Sequence, residues 1–248
     1  MNVDVFVVEL PSADLRNAPE DELLFYLQTG LIANEINILT KYSLFARPKN
    51  PEHKVVDDAG FAASSFMCRL LSGKCFEAYK AIQLHGKLMR TYRDSFNASQ
   101  KEQLSYIHSF FGKKANTVTT TRNKVAFHND LDFLRAGIPT FLKEEGHLDY
   151  LTVEQGNTFF MTSENLLLHA TYNSSELDDP KKAFEQILDE QLSIAAALLT
   201  VAFGICRVFY QRNFQPNPIK NEQRITLNAV SDLLDIQLPF FAVPLRKT

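Results

Sequence analysis

Apolar residues recur at helical spacing through long stretches of this chain. Between residues 19 and 46 they fall at intervals of four and seven, which is typical of one face of an α-helix. Pro19 suits the first turn of such a helix, and the acidic residues at 20–22 favour the positive end of its dipole. We therefore predict a helix over 19–46 with an inward stripe formed by Leu23, Leu27, Leu31, Ile38 and Phe45.

The same periodicity predicts three further helices. A second long helical stretch covers 55–96, with a break expected near Ser72 and Gly73. A short helix is predicted over 131–136. The last strong pattern predicts a long helix over 181–209, whose most apolar part is too short to span a bilayer and is typical of a buried core helix.

Capping residues mark the start of two more helices. Ser99 is followed three residues later by Glu102, which matches a capping box and predicts a helix that begins there. Asn116 is placed to cap the next helix, which we predict to run to about His128.

Three segments do not show this helical spacing of apolar residues. Residues 148–162, "LDYLTVEQGNTFFMT", contain two β-prone runs around "QGN" and predict a β-hairpin. Residues 1–10 alternate loosely and are typical of a short strand or an extended arm. The tail after Arg212 predicts a linker followed by one more helix over 225–236.

These elements predict an all-α fold, a helical bundle of four to five long helices with a small β-hairpin insertion. We expect one domain over 1–212, with 213–248 forming a linker and helix that pack on it. The chain has 248 residues, 45% of them apolar, and only 9 glycines and 10 prolines. It is therefore long enough to bury a core and has few residues that break helices.

Charge and cysteine content narrow the function classes. The net charge of −3 gives no global basic field, so nucleic acid would have to bind through a local patch. The three cysteines, Cys68, Cys75 and Cys206, form no C-x-x-C pair, and the first two share a helix face and predict core packing. With no basic run before the first apolar residues, we expect no signal peptide, no membrane span and a cytoplasmic location.

One short segment carries residues suited to catalysis. "RNKVAFH" contains Arg122, Asn123 and His128. A histidine serves as general acid or base near neutral pH, and a guanidinium binds a phosphate and stabilises charge on it. Together they suffice for RNA cleavage in which the 2′-hydroxyl attacks the adjacent phosphate and leaves a 2′,3′-cyclic phosphate. On a regular helix Arg122 and His128 would lie about 120° apart, so an active site would favour a dimer.

The segment "RNKVAFHND" resembles the R-x(4–6)-H motif of the HEPN superfamily, including the polar residue after the arginine. The resemblance implies an all-α, typically dimeric protein, and many members are RNases of toxin–antitoxin, abortive-infection and CRISPR systems. It implies Arg122, Asn123 and His128 as the catalytic group of a metal-independent endoribonuclease. It covers only about ten residues, and the hairpin and tail have no obvious counterpart in the family.

Three lysines near the motif are candidates for contact with RNA phosphates: Lys113, Lys114 and Lys124. The segment 79–93 mixes aromatic and basic residues and is typical either of an RNA-contacting face or, as we favour, of an ordinary solvated helix. No glycine-rich phosphate loop and no H-E-x-x-H is present, so we expect neither a cofactor nor a metal ion.

Other interpretations of the motif remain open. The plain alternative is a solvated helix with Val118, Val125 and Ala126 facing the core. Inactive HEPN domains serve as binding or dimerisation modules, so the chain is also compatible with a helical interaction protein or with a partner of a nucleotidyltransferase. The expected partners are RNA, a second copy of the chain and an antitoxin or nucleotidyltransferase.

Overall fold

The computed structural model describes residues 2–113, 116–126, 130–153, 157–173, 180–214, 223–228, 230–232 and 235–241. Helices dominate these residues, and the all-α prediction is confirmed. The helices are α1 (Ser12–Asn17), α2 (Glu20–Phe45), α3 (Lys54–Leu84), α4 (Gly86–Asp94), α5 (Ala98–Gly112), α6 (Thr117–Thr121), α7 (Leu131–Phe141), α8 (Met161–Tyr172) and α9 (Pro180–Asn213). A π-helical turn (Arg122–Ala126) and two short strands, β1 (Val3–Val7) and β2 (Gln223–Leu227), complete the described elements.

The predicted break in the second long helix is wrong. Helix α3 continues through Ser72 and Gly73 and ends at Leu84, and α4 begins at Gly86. Ser72 is accommodated because its hydroxyl donates a hydrogen bond to the Cys68 carbonyl one turn earlier, at 3.1 Å.

The predicted cap of α5 is also wrong by two residues. Asn97, not Ser99, caps the helix: its side chain accepts a hydrogen bond from the Gln100 backbone N–H at 2.9 Å. The Gln100 side chain in turn accepts from the Asn97 backbone N–H at 3.0 Å. Two overlapping capping-box patterns exist in this stretch, and the earlier one forms.

The predicted inward stripe of α2 is wrong for three of its five residues. Leu27, Leu31 and Ile38 are exposed, whereas Phe45 is buried. The buried residues of α2 include the polar residues Glu22, Thr29 and Ser43 beside the apolar residues Phe25 and Ile36. Because some buried positions are polar and some exposed positions are leucines, a stripe drawn from apolar residues alone is displaced.

The chain forms two compact units. Unit 1 comprises Met1–Ile38, Lys74–Asn116 and Ile194–Asp232, and unit 2 comprises Leu39–Gly73, Thr117–Ser193 and Leu233–Thr248.

The interior of unit 1 is built from aromatic and branched side chains. Phe25, Tyr92 and Phe209 are fully buried, and Tyr26 stacks on Phe209 with ring centroids 4.4 Å apart. Within this interior the Glu22 carboxylate is also buried, and it accepts hydrogen bonds from Tyr92 and from the end of α9. Unit 1 therefore combines a packed apolar core with one buried charge that has partners.

Strands β1 and β2 pair antiparallel within unit 1, with Val3 opposite Leu227 and Val7 opposite Gln223. The helix predicted over 225–236 is therefore wrong where it overlaps β2. Ile225 and Thr226 are β-branched and suit a strand, and their pairing partner lies more than 200 residues away in the chain. No local pattern contains that partner.

Unit 2 contains two small clusters of buried side chains. Ala59 and Ala62 pack with Phe159 and Met161, and Cys68 packs with Phe184 and Leu188. Both Cys68 and Cys75, the latter in unit 1, are buried, as predicted. Burial raises the pKa of the Cys68 thiol to about 12.

Helices α7 and α8 approach closely within unit 2. A Cβ on Gly137 would lie 2.7 Å from the backbone nitrogen of Ala170, so only glycine fits at this contact.

Helix α8 was not predicted, because its sequence follows directly on the predicted hairpin. The hairpin itself is seen as one antiparallel pair, Tyr150 with Phe159, joined by two backbone hydrogen bonds of 2.8 Å. Residues 154–156 at its tip lie outside the described residues.

One described stretch of helix, Phe184–Asn213, is long and apolar enough to cross a membrane by length and composition alone. Half of its most apolar window is buried inside the protein. A core helix passes the same test, so this stretch is weak evidence for a membrane span.

Candidate active site at the motif segment

The motif segment does not continue as a regular α-helix. Helix α6 ends at Thr121, and residues Arg122–Ala126 form a π-helical turn. The threonines of α6 are β-branched and favour the α-helix weakly. Single π-helical turns occur frequently at functional sites, so this irregularity at Arg122 draws attention to the motif.

A side-chain hydrogen bond anchors the start of the segment. The Thr117 hydroxyl donates a hydrogen bond of 2.9 Å to the Glu190 carboxylate of α9, and both residues belong to unit 2. Val118 beside it is fully buried. This hydrogen bond and the burial of Val118 hold α6 in place immediately before the arginine.

Arg122 and Asn123 contact each other. Arg122 Nη1 donates a hydrogen bond of 3.0 Å to Asn123 Oδ1. Arg122 is half-buried and Asn123 is exposed. This contact orients one edge of the guanidinium, a role that fits the polar residue expected after the arginine.

His128 lies in 127–129, outside the described residues, so its predicted approach to Arg122 stays a prediction. Residues on the two sides of 127–129 form a backbone hydrogen bond: the Asp130 N–H donates to the Lys124 carbonyl at 3.1 Å. The Asp130 side chain caps α7 by accepting from the Phe133 N–H at 3.0 Å. The predicted helix over 131–136 exists and is longer, ending at Phe141.

The lysines predicted to contact phosphate lie in different surroundings. Lys124 forms an ion pair of 2.6 Å with Asp130, and this hydrogen bond lowers the pKa of the Asp130 carboxyl. A phosphate would have to compete with that carboxylate for the Lys124 ammonium. Lys113, in unit 1, lies 5.9 Å from the centroid of the Phe110 ring. Lys114 lies outside the described residues.

A small cavity of about 40 Å³ lies beside the motif segment within unit 2. Thr121 and Val125, on either side of Arg122, form part of its wall. Arg69 also lines it and binds Glu164 through two hydrogen bonds of 3.0 and 3.3 Å. The cavity beside Arg122 is therefore lined in part by a partly buried ion pair.

The same cavity contains an unusual buried acceptor. Gln191 is only 1% exposed, and its Oε1 has no hydrogen-bond partner among the described residues. A buried acceptor without a donor is unfavourable. The cavity is large enough for a few water molecules but far below the several hundred Å³ of typical ligand pockets, so it is not a substrate pocket.

Two histidines outside the motif have side-chain partners within their own units. His85 stacks on Phe25 at 4.5 Å, and burial lowers its pKa. His169 is buried and its Nε2 lies 2.9 Å from Glu144 Oε1. Sequence reasoning missed this histidine–carboxylate pair and the Arg69–Glu164 pair, because the partners are 25 and 95 residues apart and share no motif.

The mixed aromatic and basic segment 79–93 is engaged in packing within unit 1. Tyr79 stacks on Phe111 with centroids 4.3 Å apart, and Tyr92 is fully buried. Aromatic rings in such contacts do not offer their faces to RNA bases. Among the residues that the structure describes, no three His, Cys, Asp or Glu side chains are arranged to hold a metal ion.

Comparisons of this chain with protein-family models, with curated proteins and with solved structures give no match. The resemblance of "RNKVAFHND" to the HEPN motif therefore rests on those residues alone.

Proposed function

We propose that this protein is a metal-independent endoribonuclease of the HEPN type, with Arg122, Asn123 and His128 as its catalytic group. The observation that carries the proposal is the contact of Arg122 with Asn123 on an irregular turn, six residues before a histidine. The residue types and their order suit cleavage of an RNA backbone.

The proposed reaction needs only a proton shuttle and charge stabilisation. The 2′-oxygen attacks the adjacent phosphorus, the bond from phosphorus to the 5′-oxygen breaks, and a 2′,3′-cyclic phosphate remains. His128 takes the proton of the 2′-hydroxyl and supplies a proton to the leaving 5′-oxygen, so that the two transfers balance. Arg122 stabilises the negative charge that develops on the phosphate, and Asn123 orients the guanidinium.

In this proposal the protein acts in the cytoplasm as a homodimer, as a toxin or phage-defence effector.

The three cysteines are free thiols. Burial raises the pKa of all three, most for Cys75, so none is poised as a nucleophile.

A second candidate is a catalytically inactive helical interaction module. Two observations favour it: Lys124 is paired with Asp130 rather than available to phosphate, and α2 exposes several large apolar side chains. In this interpretation Arg122 is a surface arginine without a substrate.

The test is incubation of the purified protein with labelled RNA in EDTA, beside the variants Arg122→Ala, Asn123→Ala and His128→Ala. Arg135→Ala is the matched control, because Arg135 is an exposed arginine of unit 2 whose ion pair, among the residues that the structure describes, is with Asp132. We expect cyclic-phosphate ends from the parent chain and from Arg135→Ala. The Arg122 and His128 variants should lose at least about 100-fold in rate.

Substrates with a single 2′-deoxy or 2′-O-methyl nucleotide at the cleaved position should be resistant, because the attacking hydroxyl is absent. Cleavage that requires added Mg²⁺, or that persists in His128→Ala, would show a different nuclease mechanism or a contaminant. Absence of cleavage across several classes of RNA by a folded protein would favour the interaction module.

A further inference from the structure

Residues 235–241, the sequence "DIQLPFF", contact other parts of unit 2 along their length and form neither an α-helix nor a strand. We call them the docking segment. The Leu238 N–H donates a hydrogen bond of 2.9 Å to the carbonyl of Phe45, the last residue of α2. The last carbonyls of a helix have no partner within the helix, so the segment satisfies one of them. Asp235 forms an ion pair with Lys49 in the loop that follows α2.

Two aromatic residues anchor the other end of the docking segment. The centroid of the Phe240 ring lies 5.5 Å from that of Phe159, and Phe241 packs against the buried cluster that contains Phe159. Pro239, immediately before them, disfavours a helical backbone at Leu238 and favours an extended one. Grooves that recognise short extended peptides use the same features: main-chain hydrogen bonds, proline and pockets for particular side chains.

The surface under the docking segment is a groove of unit 2. It is lined by Phe45, Ala46, Pro48, Val56 and Gly60. A Cβ on Gly60 would clash with Pro48 Cδ and would lie 2.7 Å from the Ala46 carbonyl oxygen, so the loop after α2 packs directly on α3. This contact does not involve the docking segment, so the rest of unit 2 holds the groove in shape.

The docking segment fills the groove incompletely. A cavity of about 200 Å³ lies between the segment and the groove. Ile236, Leu238 and Phe240 are 37, 46 and 36% exposed, so each gains only part of the free energy of full burial. The ion pair of Asp235 with Lys49 joins two exposed side chains and contributes little. A segment held in this way opens more readily than an element of the core.

We propose that this groove is a peptide-binding site and that the docking segment is its exchangeable occupant. The partner is a protein that offers an extended segment with an acidic residue, a leucine three positions later, then proline and two aromatic residues. These are the features of the docking segment that contact unit 2, in their order along the chain. Because a tethered occupant has a high effective concentration, the docking segment excludes weak competitors and yields to a peptide that fills the cavity better.

The test measures, by fluorescence anisotropy, how a labelled peptide with the sequence of residues 235–241 binds to the full chain. The receptor is the parent chain or a double variant, Phe240→Ser with Phe241→Ser, whose own segment lacks its aromatic anchors. We expect the double variant to bind the peptide at least about 10-fold more tightly than the parent chain, because its own segment no longer competes. A peptide of the same composition in scrambled order should bind neither protein.

Two modified peptides test the main-chain contact. Methylation of the Leu238 nitrogen removes the donor to the Phe45 carbonyl and should weaken binding to the double variant at least about fivefold. Methylation of the Ile236 nitrogen is the matched control, because that N–H makes no backbone hydrogen bond to the residues that the structure describes. It should weaken binding less than about twofold.

A charge exchange tests the other end of the segment with a substitution that leaves the packing intact. Asp235→Lys in the full chain places two lysines side by side and weakens the docking of the segment. The unmodified peptide should then bind about two- to fivefold more tightly than it binds the parent chain. Adding Lys49→Glu restores the pair within the chain and repels the acidic residue of the peptide, so binding should fall to the parent level or below it.

Three results would overturn the proposal: no binding of the peptide in preference to its scrambled form, equal binding to the parent chain and to Asp235→Lys, or equal effects of the two methylations. Circular dichroism checks that the double variant is folded; if it is not, the scrambled and methylated peptides are compared on Asp235→Lys. None of these measurements involves RNA, so the peptide site and the proposed nuclease activity succeed or fail separately.

Discussion

Replacing Glu22 by glutamine should destabilise the protein strongly, although it removes no atom from the packing. Glu22 is 5% exposed, and its carboxylate accepts hydrogen bonds from three residues. Arg212 donates through Nη2 at 2.8 Å and through Nε at 3.1 and 3.2 Å. The Tyr92 hydroxyl donates at 2.7 Å and the Asn213 amide at 3.1 Å.

The magnitude follows from this geometry. In Glu22→Gln one oxygen becomes an NH₂ group, which faces donors that it cannot accept from, and the negative charge beside Arg212 is lost. Removing one partner of a fully buried ion pair costs about 3–5 kcal/mol. The Arg212 side chain is 45% exposed and regains water, so we expect a loss of about 2–4 kcal/mol, or several degrees in Tm.

The assay is urea denaturation followed by circular dichroism at pH 7. Asp132→Asn is the control, because its ion pair with Arg135 joins two exposed side chains, and such pairs contribute little. A loss in Glu22→Gln no larger than in Asp132→Asn would refute the assignment of Glu22 as a stabilising buried charge.

The pH dependence adds an independent check. Burial raises the pKa of Glu22, but the hydrogen bonds from Arg212, Tyr92 and Asn213 outweigh it, and the pKa lies below its usual value of 4.5. The stabilisation is therefore complete above pH 4.5 and is lost as the pH falls through the pKa of the folded state. The difference between the parent chain and Glu22→Gln should shrink below pH 4.5; a difference independent of pH would contradict the charge as its cause.

Three further substitutions test packing by the same denaturation assay. Gly137→Ala should cost about 1–3 kcal/mol because its Cβ would lie 2.7 Å from the Ala170 backbone. Gly30→Ala, also within a helix but with nothing within 4 Å of the new Cβ, should instead stabilise by about 0.5–1 kcal/mol, and a loss there would contradict the open surroundings. Gln191→Leu should change stability by less than about 1 kcal/mol because its Oε1 has no partner among the described residues; a larger loss would show that water or another donor fills the cavity.

The sequence predicted the long helices well, because their periodicity and scarcity of breakers are local properties. The predicted 19–46 and 181–209 became α2 (Glu20–Phe45) and α9 (Pro180–Asn213). The orientation of α2 was not predictable in the same way. Which face of a helix is buried depends on partners elsewhere in the chain, and the buried position of Glu22 depends on Arg212, 190 residues away.

The candidate site likewise has features that the local sequence predicts and features that involve residues distant in the chain. The motif residues were identified from their order alone, and the contact of Arg122 with Asn123 involves neighbours in sequence. The π-helical turn and the cavity behind it were not predicted. The cavity is lined by residues of α3, α8 and α9 as well as by the motif segment, and no local pattern relates these helices.

The pattern of buried and exposed residues along the motif segment fits both interpretations, a solvated helix and a catalytic segment. Val118 is buried and Asn123 and Lys124 are exposed, as for a solvated helix and equally for a catalytic segment held from behind. The two interpretations differ in the role of Arg122. In a solvated helix Arg122 has no catalytic role, whereas in a nuclease it stabilises negative charge on the phosphate. Comparing Arg122→Ala with Arg135→Ala therefore separates them: both variants remove an arginine from unit 2, and only the first should abolish cyclic-phosphate formation.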